Sequence, residues 1–517
     1  MEEPVLDAGE IQGDSLAGFK KDHARLIFVS FDPAKIAQTR QWLSAFTDQV
    51  SYLEAVHGFN LAFKALRRTR HAAAMAVTWK NIALTFEGIN LLAPDADFSA
   101  VDPSFRAGAA ANATAVGDPA DGSDGDPRTW IVGRTEQHIH AMITVAGDNA
   151  EDVAAHTNAL TTEIASLVSV VFIQQGNTRQ NDIGHEHFGF KDGISQPGVR
   201  GVVGPNGALL TERLLDSSDP LAADFAAAGK PLLWPGEFVL GYPKKVPGAT
   251  DVNKTVTDKV PAWMKNGSYS VFRKLRQDVP GFLAAVAEEA QRIAKLPEFA
   301  GLTPDRLGAM IVGRWRSGAP VMRAPLDDDI ALAKDSEASN SFFYTRDTAA
   351  PKYPPASRHP ADPPARAKAD PLGQTCPLGA HIRKVNPRDE TTDQGAAART
   401  LEHRILRRGL PYGPDYDPAQ AGSGAQDRGL LFICYQASIR SGFEFLSRTW
   451  ANAENAPDGG GGQDLIIGQT GAADRDMFLR DQSGNPCKVS LARFVTAQGG
   501  LYLFAPSRTA LKSGFRS

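Results

Sequence analysis

The chain has 517 residues, of which 42% are hydrophobic and 22% charged, with a net charge of −4. That length is too great for one small core and predicts two domains, while the near-balanced charge excludes a general nucleic-acid or anionic-membrane binder. Its three cysteines, Cys376, Cys434 and Cys487, are too few and too scattered for a disulfide framework or a Cys-rich zinc site.

The opening segment, MEEPVLDAGEIQGDSLAGFKKDHARL, has no basic stretch followed by an apolar one, and no run in the chain approaches the length of a membrane span. A soluble cytoplasmic protein without a membrane partner is expected, although a folded cargo exported by another route would look the same. RLIFVSF (25–31) reads as a buried strand, and PAKIAQTRQWLSAF (33–46) as a helix with proline in its first turn. HIHAMITVAG (138–147) reads as a strand, NAEDVAAHTNALTTEIASL (149–167) as a helix capped near Asn149, and VSVVFIQQG (168–176) as another strand. Strand and helix repeated in this order predict an α+β fold, a sheet with helices on one face. The pattern then restarts: GEFVLGYP (236–243) as a strand, FLAAVAEEAQRIAKL (282–296) as a helix and GLLFICYQASI (429–439) as an apolar strand. Two similar halves follow, 1–235 and 236–517. Segments 107–127, 348–371 and 455–463 read as long surface loops of the kind that shape an entrance to a site.

Three stretches carry candidate chemistry. In HFGFKDGISQPGVRG (187–201), Asp192 stands on a sharply bent backbone between Gly189 and Gly193, with aromatics beside it. In CPLGAHIRKVNPR (376–388), His381 is flanked by Arg383, Lys384 and Arg388, which suits either a capped loop histidine or an axial ligand to haem iron with arginines for the propionates. In HRILRRGLPYG (403–413), Arg404, Arg407 and Arg408 precede a Gly-Leu-Pro-Tyr turn; they suit a solvated basic helix end, or one of them could stabilise charge on a breaking O–O bond.

Together, GFKDG, GAHIRKVNPR and ILRRGLPYG resemble the GxxDG, proximal-histidine and distal-arginine segments of the dye-decolorising peroxidases, in the same order along the chain. IQGDSLAGFKKDHARLIFVSF, GRWRSGAP and LIIGQ look like further landmarks, and the length is most similar to the longer fungal-like subgroup. The resemblance implies two ferredoxin-like domains, with antiparallel sheets and packed helices, and one haem b held mainly by the C-terminal half. The absence of CxxCH implies that the haem is not covalently attached. The resemblance also implies roles: His381 as the proximal iron ligand, Asp192 as the distal acid and base, and Arg407, with Arg408 as the alternative, as the distal arginine. Asp464 would hold the proximal imidazole, with Glu444 as a substitute. Leu430 and Phe432, two apart on one strand, would wall the distal pocket. Hydrogen peroxide and bulky organic donors would be the substrates, with activity favoured in acid because a carboxylate stays a usable base there. A donor too large for the pocket calls for a relay to the surface, with Tyr412 on its turn as the first candidate and Trp450 as the second.

Two other readings compete. His185, Glu186 and His187 could seat a metal, but no third well-spaced ligand is evident nearby; His138 and His140 share the spacing but lie in an apparent strand, which suits alternate core or edge histidines. A haem-binding or haem-handling protein on the same fold, with little peroxidase turnover, would need neither Asp192 nor Arg407.

Overall fold

A computed structural model describes residues 2–515 except 69–75, 205–206, 336, 350–365, 421, 471–473 and 514, so most of the expected 348–371 loop lies outside the described residues. The N-terminal half runs β1 (His23–Phe31), α1 (Ile36–Phe46), α2 (Leu53–Arg68), β2 (Thr78–Leu84), β3 (Ala141–Gly147), α3 (Ala150–Ile164) and β4 (Val168–Asn177). Asn149 caps α3 as expected, its side chain accepting from Glu151 N at 2.7 Å. The C-terminal half runs β5 (Ser268–Gln277), α4 (Val279–Ile293), α5 (Pro304–Val312), the short α6 (His381–Lys384), β6 (Leu406–Arg407), β7 (Leu410–Tyr412) and β8 (Gly429–Gln436). Two consecutive π-helical segments, Arg440–Glu444 and Leu446–Ala451, lead to the hairpin β9 (Asp474–Arg480) and β10 (Pro486–Ala492) and to β11 (Val495–Ala505).

Each half is a four-position antiparallel sheet of ferredoxin-like order, β2-β3-β1-β4 and (β6, β7)-β8-β5-β11. Phe504 of β11 pairs with Leu84 of β2 and joins them into one sheet of nine strands. The free edges curl together, so that Gly176 of β4 lies against the side chains of Leu410 and Leu431. The period-2 alternation of strands decides what fills the space inside. Leu26 and Phe28 of β1 meet Phe272, Leu431, Ile433, Leu501 and Leu503 of the other half in one buried core, while Ile27, Val29 and Phe31 point outward to α1 and α3.

The same alternation turns Arg273, Leu275 and Gln277 of β5, and Leu430 and Phe432 of β8, to the outer face of the C-terminal sheet, where they floor a cavity. GEFVLGYP is not a strand. Pro235 opens a helical turn in which Phe238 N and Val239 N both bond to Pro235 O, at 3.0 and 2.9 Å, and Phe238, Val239 and Leu240 are all buried without alternation. Likewise His138 and His140 precede β3 rather than lying in it. Among the described residues no helix is long and apolar enough to cross a membrane.

Candidate active site

The cavity, of about 270 Å³, lies between the outer face of the C-terminal sheet and a cover that includes the 186–197 loop, the end of α5, the α6 segment through Arg388, the 403–405 and 466–469 segments, and the first π-helical segment with residues just beyond it. His381 opens α6 and reaches into this space. Its Nδ1 lies 2.7 Å from Asp464 Oδ2. Asp464 is fully buried, and its Oδ1 accepts from Ile466 N at 2.8 Å and Ile467 N at 3.0 Å. Burial disfavours the charge on both groups, but the pairing outweighs it: His381 is held above its usual pKa and Asp464 below its own. In that hydrogen bond the carboxylate accepts from Nδ1–H, so in the neutral ring Nε2 is the lone-pair donor.

Asp192 faces the same cavity from the bent loop. Gly189 and Gly193 adopt φ of +92° and +74°, backbone that L side chains rarely adopt, and Gly193 N donates to Asp192 Oδ1 at 2.6 Å. Arg407 Nη1 donates to the same oxygen at 2.5 Å. Burial pushes the Asp192 pKa up, but the Arg407 guanidinium and the Gly193 N–H more than offset it, and the carboxyl lies below its usual range. Strand geometry separates Arg407 from Arg408. Arg407 lines the cavity, whereas Arg408 turns away to donate to Asp14 O at 2.7 Å and Leu16 O at 2.9 Å.

Leu430 and Phe432 line the cavity together with Leu275, Val312, Ile466 and Ile467. Arg388 also lines it, held by Phe342 O at 2.8 Å and Gly229 O at 3.0 Å, with its guanidinium 3.7 Å from the Phe342 ring centroid. Arg383 does not reach the cavity. Two residues beyond His381 on a helical turn, it points to the other side, where it pairs with Glu390 and donates to Cys376 O at 2.6 Å. Glu444 is not beside His381; it accepts from Ser104 Oγ at 2.6 Å.

Neither relay candidate is at the surface. Tyr412 is 3% exposed, because β7 turns its ring under Lys274 Nζ, 3.9 Å from the centroid, while its hydroxyl lies 3.0 Å from Asp427 Oδ1. Trp450 is 1% exposed, but its indole N–H donates to the exposed Asp393 at 3.0 Å, and its ring packs edge-on to His403, which lines the cavity.

Besides Arg273, which pairs with Asp118, two cavity arginines had no role assigned from sequence. Arg314, within the GRWRSGAP landmark, and Arg404 line the cavity beside Arg388, and each is pushed down to about 9 by burial and by the positive charge of Arg388. None of the three has a carboxylate within 4 Å among the described residues, and Arg404 Nε is buried without a partner there. Buried cations in this state suit an anionic ligand group. An imidazole with a free Nε2, apolar walls and three uncompensated guanidiniums fit a flat apolar macrocycle that carries iron and two carboxylates.

The histidine pairs do not form metal sites. His185 Nε2 and His187 Nε2 face the backbone carbonyls of Arg316 and Tyr412, at 3.0 and 2.8 Å, and Glu186 accepts from Phe188 N and Phe190 N. Glu87, His138 and His140 lie close together, but His140 Nδ1 accepts from Phe31 N at 2.7 Å, so its Nε2 carries the proton and cannot ligate.

Fold and site together define an α+β barrel oxidoreductase of the haem-binding class. Two family models match the chain: "DyP dimeric alpha+beta barrel domain" over residues 10–180 and "Dyp-type peroxidase, C-terminal" over 311–459. The chain is 30% identical to dye-decolorizing peroxidase msp1 of the fungus Mycetinis scorodonius, over 98% of this chain and 87% of that protein. An ancestral D-type dye-decolorizing peroxidase has 32% identity and a TM-score of 0.76, with 99% of this chain and 100% of that one covered. A dye-decolorizing peroxidase solved with 2,6-dimethoxyphenol has 28% identity and a TM-score of 0.72, with 98% and 99% covered. The chain belongs to the DyP-type peroxidase family, in its longer fungal-like subgroup, and is an oxidoreductase that uses peroxide.

Proposed function

We propose that the protein binds one non-covalent haem b through His381 Nε2 and uses hydrogen peroxide to oxidise bulky dyes and phenolics by one-electron steps. Arg314, Arg388 and Arg404 would hold the propionates, and Leu430 and Phe432 would wall the face where peroxide binds. The haem, when bound, supplies the iron that activates peroxide and the store of oxidising equivalents passed on to donors.

The chain's own residues handle the proton and the charge. Asp192, ionised because Arg407 offsets its burial, accepts the first proton of peroxide on its carboxylate and returns it to the leaving oxygen. Arg407 Nη1, already aimed at that locus, stabilises the negative charge that develops as the O–O bond breaks. Asp464 fixes the His381 tautomer that can ligate. The donors are inferred from the relatives, which include dye-decolorizing enzymes and a complex with 2,6-dimethoxyphenol.

The observation that carries this reading is one cavity lined by both the His381–Asp464 pair and the Asp192–Arg407 pair. In stopped flow, Asp192→Asn should retain the Soret band but react with peroxide at least tenfold more slowly, about 1.4 kcal/mol of barrier. An unchanged rate would remove Asp192 from the mechanism. Because a haem-handling protein needs no proton carrier, slow dye turnover in the parent together with an unaffected Asp192→Asn would favour that alternative.

A further inference from the structure

Beyond the cavity floor, on the same face of the C-terminal sheet, lies a group that the peroxide chemistry does not use. Tyr502 of β11 pairs with Val271 of β5, two residues before Arg273 of the floor, so all three share a face. Phe443 connects it to the cavity: it lines the cavity, lies 5.9 Å from the Phe432 ring, and meets Tyr502 edge-on at 6.2 Å between centroids. Glu444 follows in sequence and is buried, one oxygen held by Ser104 Oγ. Its other oxygen and the Tyr502 hydroxyl are both buried, and neither makes an ordinary hydrogen bond to a described residue. Glu444 follows Phe443, whose ring meets Tyr502, so its carboxylate lies in the same buried region; burial first and that carboxylate second push the Tyr502 phenol well above the usual range.

The other buried phenols lack this combination: those of Tyr52, Tyr242 and Tyr269 are already hydrogen-bonded, to Thr47 O, Asn266 Oδ1 and Asp102 N. Tyr412 has Lys274 over its ring and Tyr344 has Arg383 over its ring at 4.4 Å, and a cation there opposes loss of an electron. Tyr435 faces Asp14 at 3.2 Å, but on the interior side of the sheet, away from the cavity.

We propose that Tyr502 and Glu444 form an internal redox site that takes up one oxidising equivalent from the haem when no donor is present. The inference rests on the haem-peroxidase reading. In the step, Tyr502 gives one electron to the peroxide-oxidised haem, and its O–H proton passes to Glu444 Oε1. The products are a neutral tyrosyl radical, a protonated Glu444 and a haem reduced by one electron. An electron that returns from a donor through the cavity reverses both transfers. Tyr502 is 2% exposed and cannot touch a bulky donor, so the site stores an equivalent rather than relaying it to the surface. Its effect is to delay oxidative loss of the cofactor.

The test is freeze-quench electron paramagnetic resonance of the haem-loaded protein after one equivalent of peroxide without donor. A tyrosyl signal that narrows with ring-deuterated tyrosine is expected, reduced severalfold in Tyr502→Phe and in Glu444→Gln, which keeps an oxygen for Ser104. Both variants should also lose the Soret band faster under repeated peroxide additions. An equal radical yield in the variants, or no tyrosyl signal in the parent, overturns the proposal. The Soret response to the first equivalent, read on the same samples, separates the two levels of the argument. No response in the parent would overturn the peroxidase reading itself, whereas a normal response without a Tyr502-dependent radical overturns the storage site alone.

Discussion

Asp464→Asn changes one heavy atom and is expected to move the ring proton of His381, the proposed iron ligand, from Nδ1 to Nε2. The native carboxylate accepts three hydrogen bonds, one from His381 Nδ1 at 2.7 Å and two from Ile466 N and Ile467 N at 2.8 and 3.0 Å. Asparagine offers one acceptor oxygen and one NH2 group, so it can serve only one side. If its oxygen faces His381, the NH2 points at two buried N–H donors, and leaving both unpaired costs about 2–6 kcal/mol at about 1–3 each. If its oxygen keeps the backbone donors, the NH2 faces Nδ1, which must then accept, and the ring proton moves to Nε2. The second arrangement costs less. Nε2 would then be protonated in the resting variant, and iron binding would have to displace that proton.

The substitution also removes a negative charge near Lys384 and Arg475, two buried cations whose charged forms Asp464 favours. Loss of such a partner weakens a metal–histidine site by about 10- to 100-fold, about 1.4–2.7 kcal/mol. Titrating haem into the depleted Asp464→Asn protein and following the Soret band measures that loss directly, and thermal unfolding of the depleted form checks that the fold persists. Parental haem affinity with a parental ferric spectrum would refute the tautomer argument.

Arg407→Leu removes the largest of the groups that offset the burial of Asp192, so its pKa should rise. Less of the base form then remains in acid, and the acid limb of the peroxide reaction in stopped flow should move to higher pH; an unmoved limb would reject Asp192 as the titrating group. His187 is buried neutral, held down to about 4, and an unfolded chain binds its proton near ~6.5. As pH falls from ~6.5 towards 4 the unfolded state gains that proton first, so the group removes up to about 3 kcal/mol of stability. His187→Gln should flatten that part of the urea-midpoint profile, and an unchanged slope would assign the acid sensitivity elsewhere. Trp450→Phe should preserve haem and its reaction with peroxide yet lower turnover of bulky dyes more than that of small phenols, because Trp450 connects cavity-lining His403 to exposed Asp393. Equal losses for both donor sizes would exclude it as the relay.

Local sequence sufficed wherever a residue's surroundings are set by its neighbours in the chain. The apolar runs that became β1, β4 and β8 and the Asn149 cap were readable because a buried strand and a cap each need only a few consecutive residues. Glycines on either side of Asp192 announced the bent loop for the same reason. The placement of Leu430 and Phe432 on one face also followed from spacing, and both reached the cavity. GEFVLGYP misled because its consecutive apolar residues suit a buried turn as well as a strand, and Pro235 tipped it to the turn.

The directions and partners of the long polar side chains were decided only by tertiary packing. Arg383 and Arg388 look alike beside His381, yet a helical turn sends one to Glu390 while Phe342 and Gly229 hold the other at the cavity. Arg314 and Arg404 became cavity cations because segments distant in sequence converge there, and Tyr412 was buried because Lys274 of another strand crosses its ring. Glu444 was drawn to Ser104, 340 residues away, rather than to His381. A guanidinium or carboxylate on a flexible stem takes whichever partner folding brings within reach, and a linear sequence does not record those distances.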